Sequence, residues 1–303
     1  MKWRKTTSLS QYIDSFFEEQ QSFLVANYPG ITPAIIKRQL VHSSLNESIG
    51  DESWLSYAYF RRADSPIDKF FEQLKVGKPL AHLFEHSWFY RSEFYITPNV
   101  LIPRSETEIL VERAVHWLKA QKKFHPSFSA RILEVGVGSG ALLLSIIRDY
   151  HHNLRAMGID IDPKALSISR INAFRLAFSF NSNIPLQWML GDRLSTVSEN
   201  FDLIVSNPPY IKENADLSTV HVQVDRFEPK VALYLPDAEY QNWFSVFFDQ
   251  CFAHLVSGGQ LMMEGHEDHL SDLKLLAEKC GFDRVTIICD YTGRSRFLVA
   301  ARP

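Results

Sequence analysis

The stretch NPPY, residues 207–210, joins residue types that can hold a planar nitrogen. It follows an apolar run, FDLIVS, so it sits where a buried strand emerges. Asn207 offers a carboxamide oxygen as an acceptor. Pro208 and Pro209 stiffen the chain and fix the direction of the Pro208 carbonyl, a second acceptor. Tyr210 offers a face on which a flat group can stack. Two acceptors in one plane suit a nitrogen carrying two hydrogens, and the chemistry implied is methyl transfer to an amide or an exocyclic amine. An amide nitrogen is a poor nucleophile, so orientation and acceptors for its N–H bonds must supply the catalysis.

A second stretch, EVGVGSG at 134–140, has the composition of a ligand-cradling turn. Gly136, Gly138 and Gly140 allow positive φ and close approach, and an apolar helix pattern begins at once afterwards. The spacing is not that of the dinucleotide fingerprint, and the Lys of a phosphate loop is absent. Glu134 repels phosphate but suits a ligand ammonium group, which S-adenosylmethionine carries. The alternative is a tight strand-to-helix turn without a ligand. Asp160 closes the next apolar run, MGID, where a carboxylate can accept both ribose hydroxyls. Asp162 reads as the following N-cap, with Pro163 at the first helical position. Asp192, in MLGDRL, either accepts from an adenine amino group or is a polar loop residue. His221 and His266 read as ordinary polar loop residues, and no general base stands out.

The elements that must position these residues follow from periodicity. After Pro126, strand-like and helix-like segments alternate: RILEV, ALLLSIIRDY, RAMGIDI, PKALSISRINAFRLAF, IPLQWML, FDLIVS, YQNWFSVFFDQCFAHL, GQLMMEG and SDLKLLAEKC. That rhythm predicts a mostly parallel sheet covered on both faces, and FDRVTIICD with SRFLVA predicts an antiparallel edge. Before it, RSETEILVERAVHWLKA predicts a helix with Ser105 as N-cap and Glu108 completing a capping box. Residues 1–80 predict a small helical domain, with Thr32 capping one helix and Ser65 preceding Pro66 at the start of another. Residues 81–104, aromatic and β-branched, predict a β-hairpin linker, and 105–303 the α/β domain. The chain's own GGQ, at Gly258, Gly259 and Gln260, is read as a helix-ending turn.

Composition narrows the class. The chain has 303 residues, 46% of them hydrophobic, with 32 Lys and Arg against 35 Asp and Glu. Such a chain builds a sizeable core, and bulk charge does not favour a polyanion partner. Cys251, Cys280 and Cys289 have neither metal nor disulfide spacing, so no metal is expected. The N-terminus lacks a signal-peptide core and no apolar run is long enough to span a bilayer. A cytoplasmic monomer is the expectation.

Taken together, LIPRSETEILVE (101–112), EVGVGSG, SNPPYI (206–211), EPKVAL (228–233) and DYTGRSR (290–296) resemble the peptide chain release factor glutamine methyltransferases, the HemK/PrmC family, along nearly the whole chain. The resemblance implies a class I S-adenosylmethionine-dependent methyltransferase fold (Rossmann-like) behind a helical domain that recognises the substrate. It implies N5 methylation of the glutamine in the GGQ motif of class 1 release factors, with S-adenosylhomocysteine as the product. Carried over by motif, Glu134, Gly136, Val137, Gly138, Ser139 and Gly140 line the methionine part of the cofactor. Asp160 holds its ribose, and Asp192 and Arg193 lie beside its adenine. Asn207 bridges cofactor and substrate. Asn207, Pro208, Pro209 and Tyr210 hold the target amide, and Arg104, in LIPR, helps to position it. Glu228 orders the rim.

The chain departs from the family pattern at Ser105, where Pro is usual, at Glu134, at Val137, at Arg193, and in LMMEGHEDH, which replaces the usual E-x-G-x-x-Q form. Competing readings are a ribosomal-protein glutamine methyltransferase, an adenine-N6 nucleic-acid methyltransferase, which would need base flipping, and a non-catalytic cofactor-binding protein.

Overall fold

A capping box starts the first helix among the described residues. The computed structural model describes residues 8–42, 66–179 and 184–303, and the chain divides into two units, Met1–Glu85 and His86–Pro303. In the first unit, Ser8 accepts from the Gln11 backbone while Gln11 accepts from that of Ser8, each at 3.2 Å, and α1 runs Leu9–Glu19. It is followed by α2 (Gln21–Asn27), α3 (Pro33–His42), α4 (Pro66–Lys75) and α5 (Leu80–Phe84). Thr32 caps α3 by accepting from Ile35 N (3.3 Å); the expected cap at Ser65 lies outside the described residues. Leu9, Ile13 and Phe16 share one face of α1 and are buried with Leu24, Ile36, Leu40, Phe70, Phe71 and Leu74. Helical spacing of apolar residues is what builds this core.

The second unit opens with a hairpin, β1 (His86–Phe89) and β2 (Ser92–Tyr95). A 3-10 turn at Ser105–Thr107 then leads into α6 (Glu108–Phe124). Here the sequence expectation fails. Ser105 is not the N-cap: its hydroxyl donates to Glu106 (3.1 Å). Glu108 completes no capping box, because its carboxylate accepts from Tyr90 N (2.8 Å). The adjacent carboxylate takes the Ser105 hydroxyl, a tertiary partner takes Glu108, and Thr107 precedes the helix without a side-chain cap bond.

The alternating segments form β3 (Ala130–Val135), α7 (Ala141–Tyr150), β4 (Leu154–Asp160), α8 (Pro163–Leu176), β5 (Leu186–Leu190) and β6 (Phe201–Ser206). A minor pair, β7 (Ile211–Lys212) and β8 (Tyr234–Leu235), brackets α9 (Val222–Phe227). The chain ends with α10 (Tyr240–His254), β9 (Leu255–Glu264), α11 (Leu270–Lys279), β10 (Asp283–Cys289) and β11 (Ser295–Ala301). The main sheet has seven strands in the order β10-β11-β9-β6-β3-β4-β5. Pairs from β9 to β5 are parallel, and β11 runs antiparallel to both its neighbours.

Both sheet faces are covered, so strand residues alternate between two cores. Ile132, Leu203, Val205, Met262 and Phe297 pack with α6 and α7, whereas Leu133, Ile204, Leu261, Met263 and Leu298 pack with α10 and α11. Near-continuous apolar strands are the signature of such burial. The GGQ stretch requires a second correction. Gly258 and Gly259 do not end a helix: α10 ends at His254, and both glycines lie inside β9. The β6–β9 register shifts beside them, Gly258 has φ +78°, and a Cβ on Gly259 would meet the Asp202 carbonyl at 3.0 Å. They form a bulge where another backbone approaches closely.

Candidate active site

Sheet register gathers the candidate residues. Val135 pairs with Ser206 and with Ile159, Asp160 with Leu190, and Ser206 with Met263. Gly136, Asp160, Asn207 and Glu264 therefore emerge side by side at the carboxyl ends of β3, β4, β6 and β9. The chain lays β4 and β5 on one side of β3 and then returns to place β6 on the other. A crevice at such a switch in strand order is where open α/β sheets bind ligands. A cavity of about 220 Å³ lies there. Its walls include Glu134, Gly136–Ser139, Asp160, Asp192, Arg193 and Asn207–Pro209; Arg104, Gly140 and Tyr210 are not among them.

The glycine loop is held by its surroundings. Gly136, Gly138 and Gly140 have φ of +72°, +53° and +80°, a region open to glycine without strain. The Cβ positions at Gly136 and Gly138 are 3.9 and 4.0 Å from their nearest neighbours, both backbone oxygens. At Gly140 a Cβ would come within 3.2 Å of Ser169 in α8, so this glycine serves helix packing. Val137 N donates to Ile159 O (3.0 Å) and Gly138 N to Asp160 Oδ2 (2.8 Å). The buried amide of Asn172 accepts from Tyr95 N (2.7 Å) and donates to Tyr95 O and Ser139 O (both 2.9 Å), tying the loop to the hairpin.

Two carboxylates stand at the loop. Glu134 is buried, and its Oε2 accepts from Leu143 N (2.9 Å) in the first turn of α7. Burial pushes its carboxyl well above the usual range, and the Leu143 bond only partly opposes that. Asp160 is raised by burial too, against the N–H groups of Asp162 and Gly138. Both groups favour a cationic or hydrogen-bonding ligand that would compensate their charge.

Further along, Arg193 grips its neighbour Asp192 at 2.7 and 3.1 Å and lies 5.1 Å over the Trp243 ring. Beside Asp160 the wall carries Ile161, a half-exposed apolar side chain that the sequence did not single out.

Asn207 is the focus of the other wall. Its Nδ2 donates to Thr107 Oγ1 (3.3 Å), while its Oδ1 is buried and has no partner. Thr107 donates to Glu264 Oε2 (2.5 Å), and the Tyr210 hydroxyl donates to Glu264 Oε1 (2.9 Å). Glu228 is buried at the rim; it accepts from Ile102 N (2.9 Å) and from Arg104 (2.5 Å). Those bonds hold the LIPR segment, whose Leu101 and Pro103 line the cavity. His221 caps α9 by accepting from Gln223 N (3.2 Å). His266 and His269 converge with the sequence-distant Asp216, their ligand atoms within 4.8 Å of one another. Asp216 is already engaged, accepting from Lys212 N (2.8 Å) and facing His269 Nε2 at 2.9 Å.

Residues 115–226 match the model of the methyltransferase small domain family. The release factor glutamine methyltransferase of Flavobacterium psychrophilum is 30% identical over 229 residues, which cover 75% of this chain and 76% of that protein. Those of Chlorobaculum tepidum and Vibrio cholerae are each 32% identical, over 73% of this chain and 74% and 73% of theirs. The chain belongs to the release factor glutamine methyltransferase family. It is a methyltransferase, and its sheet, with helices on both faces and an antiparallel edge, is the class I fold expected of one.

Sequence reasoning missed Thr107, Asn172 and Glu264. Thr107 is masked inside a helix-start pattern. Glu264 ends an apolar strand next to the strand that delivers Asn207, so strand-end position was the available signal for it. Asn172 lies mid-helix and gives none.

Proposed function

We propose that this chain transfers a methyl group from S-adenosylmethionine to the side-chain amide nitrogen (N5) of the glutamine in the GGQ motif of class 1 release factors. The observation that supports it most directly is Asn207 Oδ1, a buried acceptor at the cavity with no partner. An unsatisfied buried oxygen costs about 1–3 kcal/mol, so its retention argues for a donor that arrives with substrate.

The residues fit the cofactor. Cβ positions at Gly136 and Gly138 are uncrowded, Glu134 is a buried carboxylate with a single backbone bond, and Asp160 retains lone pairs beyond those used by Gly138 and Asp162. In this reading, Glu134 and the Gly136–Gly140 segment hold the methionine part, Asp160 the ribose, and Ile161, Asp192 and Arg193 the adenine. When bound, the cofactor supplies an electrophilic methyl group on a sulfonium.

The chain's own part is orientation. Asn207 Oδ1 and the Pro208 carbonyl accept the two N–H bonds of the substrate amide and point its lone pair at the methyl group. As positive charge grows on nitrogen those bonds strengthen, which is what favours the transition state over the ground state. The nitrogen then becomes acidic enough to lose its proton without a dedicated base. Pro209 stiffens the acceptor turn. Tyr210, anchored on Glu264, backs it from outside the cavity, and Arg104 acts through Glu228 to hold LIPR. The helical unit serves partner recognition.

The test is mass spectrometry after incubation with S-adenosylmethionine and, in turn, a GGQ-containing release factor, ribosomal proteins and an adenine-containing oligonucleotide. One added methyl on the GGQ glutamine is expected. Methylation only of the other substrates would overturn the substrate assignment.

A further inference from the structure

We infer that Glu264 is a positioning residue that sets which end of the Asn207 amide faces the substrate. The inference rests on the reading of Asn207 above as the amide acceptor. Register places Glu264 beside Asn207, since Ser206 pairs with Met263. Only 1% of Glu264 is exposed, and its two oxygens accept separately from Thr107 and Tyr210.

Counting protons fixes the direction of every bond. An ionised carboxylate only accepts. Thr107 has one hydroxyl proton, and Glu264 takes it at 2.5 Å. Toward Asn207, Thr107 can then only accept, and only the Asn207 NH2 can donate to it, as observed at 3.3 Å. The Asn207 oxygen is thereby turned away from Thr107 and left without a partner. A substrate amide presents N–H donors, so this is the orientation that can receive it.

A neutral or amide side chain at 264 removes the polarity. A Gln there can donate to Thr107, whose proton is then free to bond the Asn207 oxygen. The Asn207 amide turns over, and its NH2 confronts the substrate NH2. The late DYTGRSR stretch gains a purpose in the same account. Asp290 accepts from Thr292 N, Thr292 Oγ1 and Arg294 N (2.8, 2.6 and 3.1 Å), shaping the turn, and Asp290 Oδ2 lies 3.5 Å from Arg296 Nε. Burial lifts the Glu264 carboxyl above its ordinary range, and the Thr107 and Tyr210 hydroxyls and the Arg296 charge pull against that rise; the two hydroxyls that donate to its separate oxygens are the geometry of an acceptor.

The test compares Glu264→Gln, Thr107→Val and the conservative Thr107→Ser with the wild-type chain. The orientation is read without turnover, as hydrogen exchange of the Asn207 side-chain NH2 by NMR. Turnover is read as kcat and KM for the release factor, alongside S-adenosylmethionine affinity and thermal unfolding to verify folding. The NH2 is expected to be protected in the wild type and in Thr107→Ser, and to exchange freely in the other two. Loss of one oriented charge-stabilising group predicts a fall in kcat of roughly 100-fold for Glu264→Gln, with cofactor affinity kept. Because both residues act through Asn207, the Thr107→Val/Glu264→Gln double variant should be no slower than either single one. Unchanged NH2 protection in folded Glu264→Gln, or losses that multiply in the double variant, overturns the inference. If the wild type does not methylate a release factor, the substrate reading falls, and the NMR result still decides the role of Glu264.

Discussion

Arg104 and Glu228 form a pair whose two halves should not cost the same to remove. The Glu228 side chain is 1% exposed, whereas that of Arg104 is 31% exposed. Arg104→Ala leaves a buried carboxylate that still accepts from Ile102 N. Stripping one partner from a buried pair costs about 3–5 kcal/mol, and the surviving N–H bond argues for the lower end, about 3. Glu228→Gln keeps an acceptor for Ile102 and leaves a guanidinium that water can already reach, so about 1 kcal/mol is lost. For a unit of this size each kcal/mol moves Tm by roughly 2–4 °C, giving drops of about 6–12 °C and 2–4 °C. Differential scanning calorimetry measures both. Amide exchange at Ile102 adds a local reading: it stays slow in Glu228→Gln and becomes fast in Glu228→Ala. Equal losses, or a greater loss in Glu228→Gln than in Arg104→Ala, would show that the buried charge of Glu228 does not depend on Arg104.

Three other expectations concern the glycine-loop side. Glu134 has a raised carboxyl in the folded chain, so the stability it contributes is complete below the ordinary carboxylate range and is lost as pH rises through the raised value. Glu134→Gln never ionises, so its Tm advantage over the wild type in the absence of ligand should widen from pH 5 to pH 8; a constant or narrowing gap in a fluorimetric melt contradicts this. Saturating S-adenosylmethionine should stabilise the wild type more than the variant at pH 8. Asn172→Ala removes three bonds to the hairpin and the glycine loop and should cost about 2–4 kcal/mol, with fast exchange at Tyr95 N–H; unchanged Tyr95 protection would show that the tether is not Asn172.

Most of the architecture was legible because strand–helix alternation and burial on both sheet faces leave a period in the residues themselves. The NPPY and EVGVGSG turns were legible because proline and glycine announce backbone constraints directly. Ser105 misled, since the local preference of a Ser-x-x-Glu pattern was overridden by the bond that Glu108 accepts from Tyr90 N. The GGQ glycines misled similarly: a bulge facing Asp202 and a helix end both ask for glycine, and only the register tells them apart. Thr107 and Glu264, 157 positions apart, meet only once the sheet has assembled. No local pattern encodes that meeting.

In the proposed mechanism Asn207 supplies the acceptor against which the amide nitrogen reacts. The measurement that tests it most directly is the single-turnover rate of methyl transfer to the GGQ glutamine by Asn207→Ala, with enzyme and S-adenosylmethionine saturating. A rate about 10²–10³-fold below wild type is expected, as for loss of one charge-stabilising group in a buried site, with the cofactor still bound. A variant that binds the cofactor and transfers the methyl group at the wild-type rate would contradict it.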